Sequence, residues 1–156
     1  MADHLCSPAD RMQRYLWEQC PPAAIQWQYR FQLLLLELQS YNADVLCLQE
    51  VQYSHFVDDF RPRLELLGYS GVFTARNIPP SASKIADGRQ EDGVAIFYRS
   101  SRLELVARTA TMFRHGAPRT DFHGSLLDTL KSQEGAMLIA LLRCKNTNAE
   151  LFCGCT

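Results

Sequence analysis

The sequence has no excess of either charge. Lysine plus arginine number 16 and aspartate plus glutamate 17, a net charge of −1 over 156 residues. Without a basic surplus, bulk attraction to nucleic acid is not expected, and only a local basic groove stays open. The N-terminus lacks the basic-then-apolar pattern of a secretory leader. The longest aliphatic run, Leu33 to Leu36, stops at Glu37, far short of the roughly 20 residues a membrane span needs. These absences predict a soluble chain of the cytoplasm with no membrane partner. No internal repeat, low-complexity segment or glycine-rich phosphate loop is present. The six cysteines contain no Cys-x-x-Cys pair and no neighbouring histidine cluster, so a structural zinc site is not expected. Nothing favours secretion, so an even cysteine count does not imply a disulfide framework. Cys47 reads as a small apolar residue inside a strand. Cys153 and Cys155, two apart, point the same way if their segment is extended.

The chain is organised around Ala43 to Val51. Val45 through Leu48 is a short apolar run bounded by Asp44 and Gln49, which predicts a fully buried strand. That strand ends in Gln49-Glu50. The C-terminal ends of strands in open α/β sheets are where ligands bind. A carboxylate there is paired, hydrogen-bonded or bound to a metal, because leaving it bare and buried is costly. Glu50 is therefore the first candidate for chemistry, against the plainer alternative of a strand-end residue that caps a helix or faces water.

The flanking segments fit an α/β architecture. A short helix is expected over Pro8 to Trp17, with Ser7 as N-cap and Pro21-Pro22 beyond it. Trp27 to Ser40 is the clearest helix. Trp27, Phe31, Leu34, Leu35 and Leu38 share one face, and Leu33 and Leu36 suggest cover on more than one side. Ser54 to Leu67 predicts a second helix, capped by Ser54, kinked or split by Pro62 and stopped by Gly68. Strands are expected over Tyr69–Thr74, Asp92–Arg99, the apolar run after Gly135, and Leu151–Thr156. Ser100-Ser101-Arg102 predicts a tight turn and a hairpin into Leu103–Ala107. The long aperiodic stretch between Ala75 and Glu91 carries Arg76, Lys84 and Arg89, which are either phosphate contacts or solvated loop charges. Asp92 is either a turn former, with Gly93 behind it, or a polar group aimed at the site. A final strand that ends at the terminus leaves an open edge, which suggests an incomplete domain.

Several stretches, in order, resemble one family. They are Trp27-x-Tyr29-Arg30, Tyr41 through Val51 with its Leu48-Gln49-Glu50 motif, Phe56, Phe60-x-Pro62-x-Leu64, Gly68-Tyr69, and Asp92 through Tyr98. The series is similar to the carbon-catabolite-repressor-type deadenylases and their Angel and nocturnin relatives, in the endonuclease/exonuclease/phosphatase superfamily. The resemblance implies an α/β (α+β) fold, here the N-terminal part of a four-layer α-β-β-α sandwich of two packed mixed sheets with outer helices. It implies metal-dependent phosphodiester cleavage, with magnesium as the ion and manganese as its alternative, and RNA, above all poly(A) 3′ ends, as partner. Glu50 matches the family's magnesium-binding glutamate, and this match favours the ligand role. Arg76, Lys84, Arg89 and Asp92 are substrate-binding candidates.

The departures from the family pattern are equally informative. The family's asparagine near the first strand would fall before Met1, and the histidine after the last strand would fall beyond Thr156. The later Asp-x-Asn, Asp and Ser-Asp-His positions have no counterpart, and Gln133-Glu134 stands where relatives often carry Asp-Asn. One recognisable metal ligand remains, so the chain as it stands, truncated at both ends of the domain, is expected to be catalytically inactive. Two alternatives stay open: a nucleotide phosphatase or phosphodiesterase of the same superfamily, and a non-catalytic remnant that binds RNA or protein. Nucleus or mitochondrion replaces the cytoplasm if an N-terminal part is missing.

Overall fold

The computed structural model describes residues 20–76, 92–112 and 135–156. The expected helix over Pro8 to Trp17 lies outside them, as do Lys84, Arg89, Gln133 and Glu134. The chain divides into two compact units, Met1–Ala43 and Asp44–Thr156.

In the first unit Pro22 opens a single helical turn, α1 (Pro22–Ile25), and extended Gln26 separates it from α2 (Trp27–Tyr41). Pro22 suits the first turn because its missing N–H would be unpaired there anyway. Trp27 and Phe31 stack one turn apart, with centroids 5.5 Å apart. Asn42 ends α2 in the left-handed conformation at φ 46°, a geometry asparagine tolerates. The buried stripe is narrower than the sequence suggests. Phe31 is buried, while Leu33, Leu34 and Leu36 are exposed, so among the described residues the helix is not covered on more than one side.

Among the described residues the second unit holds two three-stranded antiparallel sheets. The first has the order β1 (Val45–Gln52), β3 (Asp92–Arg99), β2 (Tyr69–Ala75); the second has β4 (Leu103–Met112), β5 (Ala136–Cys144), β6 (Glu150–Cys155). This agrees with the α/β sandwich expected from the sequence. The central strands carry the most continuous apolar runs, and alternation sends successive residues to opposite faces. Val72, Val94 and Ile96 of the first sheet pack with Leu138, Ala140, Leu142 and Cys155 of the second. Phe97 and Phe73 face the other way, against Phe56 of the following helical segment. Burying a side chain such as Phe97, fully enclosed here, contributes about 2 kcal/mol.

That helical segment is split, as Pro62 requires. A short α-turn, α3 (Tyr53–His55), passes into a π-helical turn at Phe56–Phe60 and then into α4 (Arg61–Leu66). Arg61 N–H donates five residues back to the Phe56 carbonyl. Pro62 has no N–H to offer Asp58, so the wide turn falls where the regular ladder must lapse. Phe56, Phe60 and Leu64 are its buried residues. Gly68, at φ 84°, stops it. Ser54 is not the N-cap: the segment begins at Tyr53 with no side-chain cap, and Ser54 Oγ is buried without a hydrogen-bond partner among the described residues.

Two further expectations are corrected. The turn at Ser100–Arg102 does not close a hairpin, since β4 pairs with β5 in the other sheet. Both edges of β3 are already occupied by β1 and β2, so the chain must cross to the second sheet. β1 is also not fully buried. Among the described residues it is an edge strand, with Leu46 and Val51 buried and Cys47 exposed.

Candidate active site

β1 and β2 each run antiparallel to β3, so they run parallel to each other and finish at the same end of the sheet. Glu50 and Arg76 therefore emerge together, beside Asp92 at the start of β3.

The backbone is irregular at this point. Leu48 pairs with Ala95 and Val51 with Gly93, so Gln49 and Glu50 together oppose the one residue between, Val94. This is a β-bulge, which leaves a residue unpaired and re-aims a side chain. Glu50 adopts φ 53°, the left-handed region that side chains other than glycine enter at a cost of about 1–3 kcal/mol. Strain of this kind concentrates at functional sites because the surrounding fold holds it in place. Here the bulge turns the Glu50 carboxylate outward, and its side chain is 82% exposed.

Arg76 sits between two carboxylates. Its guanidinium lies 3.1 Å from Asp92 Oδ2 and 4.0 Å from Glu50 Oε1. Its backbone N–H donates to the Asp92 carbonyl at 2.9 Å, which fixes the arginine to the start of β3. Gly93 permits this close approach. A Cβ there would run into the Thr74 carbonyl oxygen and would sit 2.8 Å from Ala75 Cα. Asp92 is thus a strand residue paired with Gln52 and aimed at Arg76, rather than a turn former, and Gly93 is needed for packing.

Of the sequence candidates, the fold brings Glu50, Arg76 and Asp92 together, while Lys84 and Arg89 lie outside the described residues. Among the described residues no three His, Cys, Asp or Glu side chains converge to hold a metal. The donors do suit one ligand of a hydrated hard cation: Glu50 offers exposed oxygens whose ion pair is long. Magnesium keeps several waters and takes few protein carboxylates. Arg76 retains donors beyond those it gives to Asp92, since a guanidinium carries five N–H groups in a planar fork suited to phosphate.

Sequence reasoning missed the bulge and the packing role of Gly93. A signal for the bulge exists: Gln49 and Glu50 are two polar residues in succession before Val51 returns to the interior. Strict alternation allows only one.

The fold defines an α/β sandwich with a carboxylate at a strand end, and the comparisons place it in a family. The model of the Endonuclease/Exonuclease/phosphatase family matches residues 12–134. The chain belongs to that family. It is 31% identical over 134 residues to the CCR4-Not complex 3′-5′-exoribonuclease subunit Ccr4 of Yarrowia lipolytica, covering 84% of this chain and 19% of that protein. It is 36% identical over 115 residues to 2′,5′-phosphodiesterase 12 of Homo sapiens, covering 74% and 17%. Among solved structures, ANGEL2, described as a 2′,3′-cyclic phosphatase, matches with a TM-score of 0.64 at 31% identity, over 91% of this chain and 36% of that one. The chain thus spans under a fifth of the length of these two curated relatives. No helix among the described residues is long and apolar enough to cross a membrane.

Proposed function

We propose that this chain forms part of a magnesium-dependent phosphodiesterase, a 3′-to-5′ exoribonuclease acting on poly(A) ends in the cytoplasm. The observation that carries the reading is Glu50, held at φ 53° in a bulge with its carboxylate exposed beside Arg76. The named activity of the Yarrowia lipolytica relative supports the substrate class.

Glu50 would hold the cation, with manganese able to replace magnesium. When bound, the ion supplies charge neutralisation at the scissile phosphate. Arg76 would orient a phosphate with the donors that Asp92 leaves unused, and Asp92 would position Arg76. Lys84 and Arg89 are further phosphate contacts in this reading. In this reading Glu50 is the one metal ligand, and among the described residues no three His, Cys, Asp or Glu side chains converge to complete a site. A general base and further electrostatic partners each supply orders of magnitude in rate. We therefore also propose that these 156 residues are the N-terminal part of one catalytic domain and do not turn over alone.

A second reading keeps the chemistry and changes the ester, and the likeness to ANGEL2 favours it. The test is to incubate the full-length gene product that contains these residues with magnesium and, in parallel, oligo(A) bearing a 3′-hydroxyl and the same oligomer ending in a 2′,3′-cyclic phosphate. Release of AMP from the first, stopped by a chelator, supports the exoribonuclease. Opening of the cyclic end without AMP release supports the second reading. Binding of either oligomer without reaction identifies a non-catalytic module and overturns both.

A further inference from the structure

We propose that Cys47 and Cys153 are an oxidation site, a thiol pair that closes to a disulfide and ties β1 of the first sheet to β6 of the second. The inference is independent of the catalytic reading. The two residues are 106 positions apart, yet their Sγ atoms lie 3.4 Å from each other. A disulfide needs about 2.05 Å between sulfurs, so two rotatable side chains must together close about 1.4 Å. The pair is held from both sides: Cys47 lies opposite Ile96 in the central strand β3, and Cys153 opposite Ala140 in the central strand β5.

Cys47 is exposed and open to a small oxidant, while Cys153 is half-buried behind it. The third nearby thiol is placed differently. Cys155 also interacts with the Cys47 thiol, but it is buried and donates its S–H to the Leu48 carbonyl at 3.5 Å. Cys153 is only half-buried and its Sγ lies 3.4 Å from that of Cys47, and on that contact the pairing is assigned to Cys153. Burial raises both thiols above their ordinary range, Cys153 to about 11. The hydrogen bond from Cys153 opposes that effect at Cys47. Cys47, the exposed thiol, is the one an oxidant reaches first, and Cys153 follows as the resolving thiol. The thiolate is the reactive form, so the pair rests as thiols at neutral pH and reacts faster as pH rises.

With a hydroperoxide as oxidant, the Cys47 thiolate attacks the O–O bond and becomes a sulfenic acid, and the released hydroxide takes a proton. The Cys153 sulfur then attacks the Cys47 sulfur, forming the S–S bond and expelling the second hydroxide as water. Two thiols lose two electrons and two protons, and one hydrogen peroxide becomes two waters. The product encloses a long loop across both sheets, a constraint that acts chiefly on the unfolded chain. It also anchors the strand that carries Glu50, three residues beyond Cys47.

The experiment treats the native gene product with hydrogen peroxide at about pH 8, digests it without reduction and maps linked peptides by mass spectrometry. Fragmentation at Gly154 separates Cys153 from Cys155. The expected result is a Cys47–Cys153 link that forms intramolecularly, persists in Cys155→Ser, reverses with dithiothreitol, and raises Tm by about 5 °C or more. Recovery of Cys47 free, over-oxidised, or joined to Cys155 or to a second molecule would overturn the proposal.

Discussion

Among the described residues two arginines each lie between two carboxylates, and the difference between them separates scaffold from candidate site. Arg143 on β5 faces Glu104 on β4 and Glu150 on β6, its direct partners in the strand register, and both contacts are 2.9 Å. The hydrogen bonds its guanidinium donates to Glu150 and Glu104 raise its pKa. Its carboxylates are engaged on a plain extended backbone. Arg76 lies 3.1 Å from Asp92 but 4.0 Å from Glu50, whose backbone is left-handed at a bulge. The second sheet also has a bulge, between Leu105 and Ala107, but no positive-φ residue stands there. Composition alone would rank the two triads equally. The backbone distinguishes them: extended strands let the charges satisfy one another, whereas the bulge holds one carboxylate 4.0 Å from its arginine and exposed to solvent.

The largest contrast between the two sheets should come from glycine. Gly93→Ala forces a Cβ into the backbone of β2, while Gly154 has open space around its Cβ position. We expect Gly93→Ala to lower stability by about 3 kcal/mol and Gly154→Ala to leave it unchanged or improve it by about 0.5 kcal/mol, measured by urea unfolding. Equal losses at both sites would remove the close approach beside Arg76 from the account.

A smaller contrast lies in the sign of two glutamate substitutions. Glu50→Gly relieves the left-handed backbone and should leave stability level or raise it by up to about 1 kcal/mol. Glu150→Gly, in ordinary strand geometry, should lower it by about 1 kcal/mol. Thermal unfolding of the two variants side by side shows whether the signs differ. A loss at Glu50 as large as that at Glu150 would mean that the bulge holds no strain.

The smallest effect is expected at Arg143. Its partners are exposed, and screened surface pairs contribute little. Arg143→Met should therefore change the urea midpoint only slightly, with a difference that vanishes in high salt. A large, salt-insensitive loss would contradict its assignment as a surface pair.

Much of the fold is legible in the sequence because it follows from periodicity. The helix from Trp27, the strands at Tyr69, Asp92, Ala136 and Glu150, the stop at Gly68 and the break at Pro62 all appear where pattern and backbone chemistry put them. The misses share a different cause. Whether Ser100–Arg102 closes a hairpin depends on whether the edges of β3 are free, which is a property of the assembled sheet. Cys47 resembles a core residue until β1 takes an edge position and turns it toward Cys153. Ser54 has the chemistry of a cap, but the helix begins one residue before it. At the site, the motif singles out Glu50 and the polar pair Gln49-Glu50 signals the bulge, but nothing local announces that Arg76 and Asp92 arrive beside it. Those contacts depend on strand register, which the topology sets.

The most direct test of the central claim, that Glu50 is held open for a metal while a chemically similar carboxylate is not, compares Glu50→Gln with Glu150→Gln. Magnesium-dependent AMP release from oligo(A) by the full-length gene product is measured for each, with folding checked by circular dichroism. A loss of about 100-fold or more is expected for Glu50→Gln, of the order seen when one charge-stabilising group is removed from an active site, and no change for Glu150→Gln. Wild-type activity in a folded Glu50→Gln variant would contradict that claim.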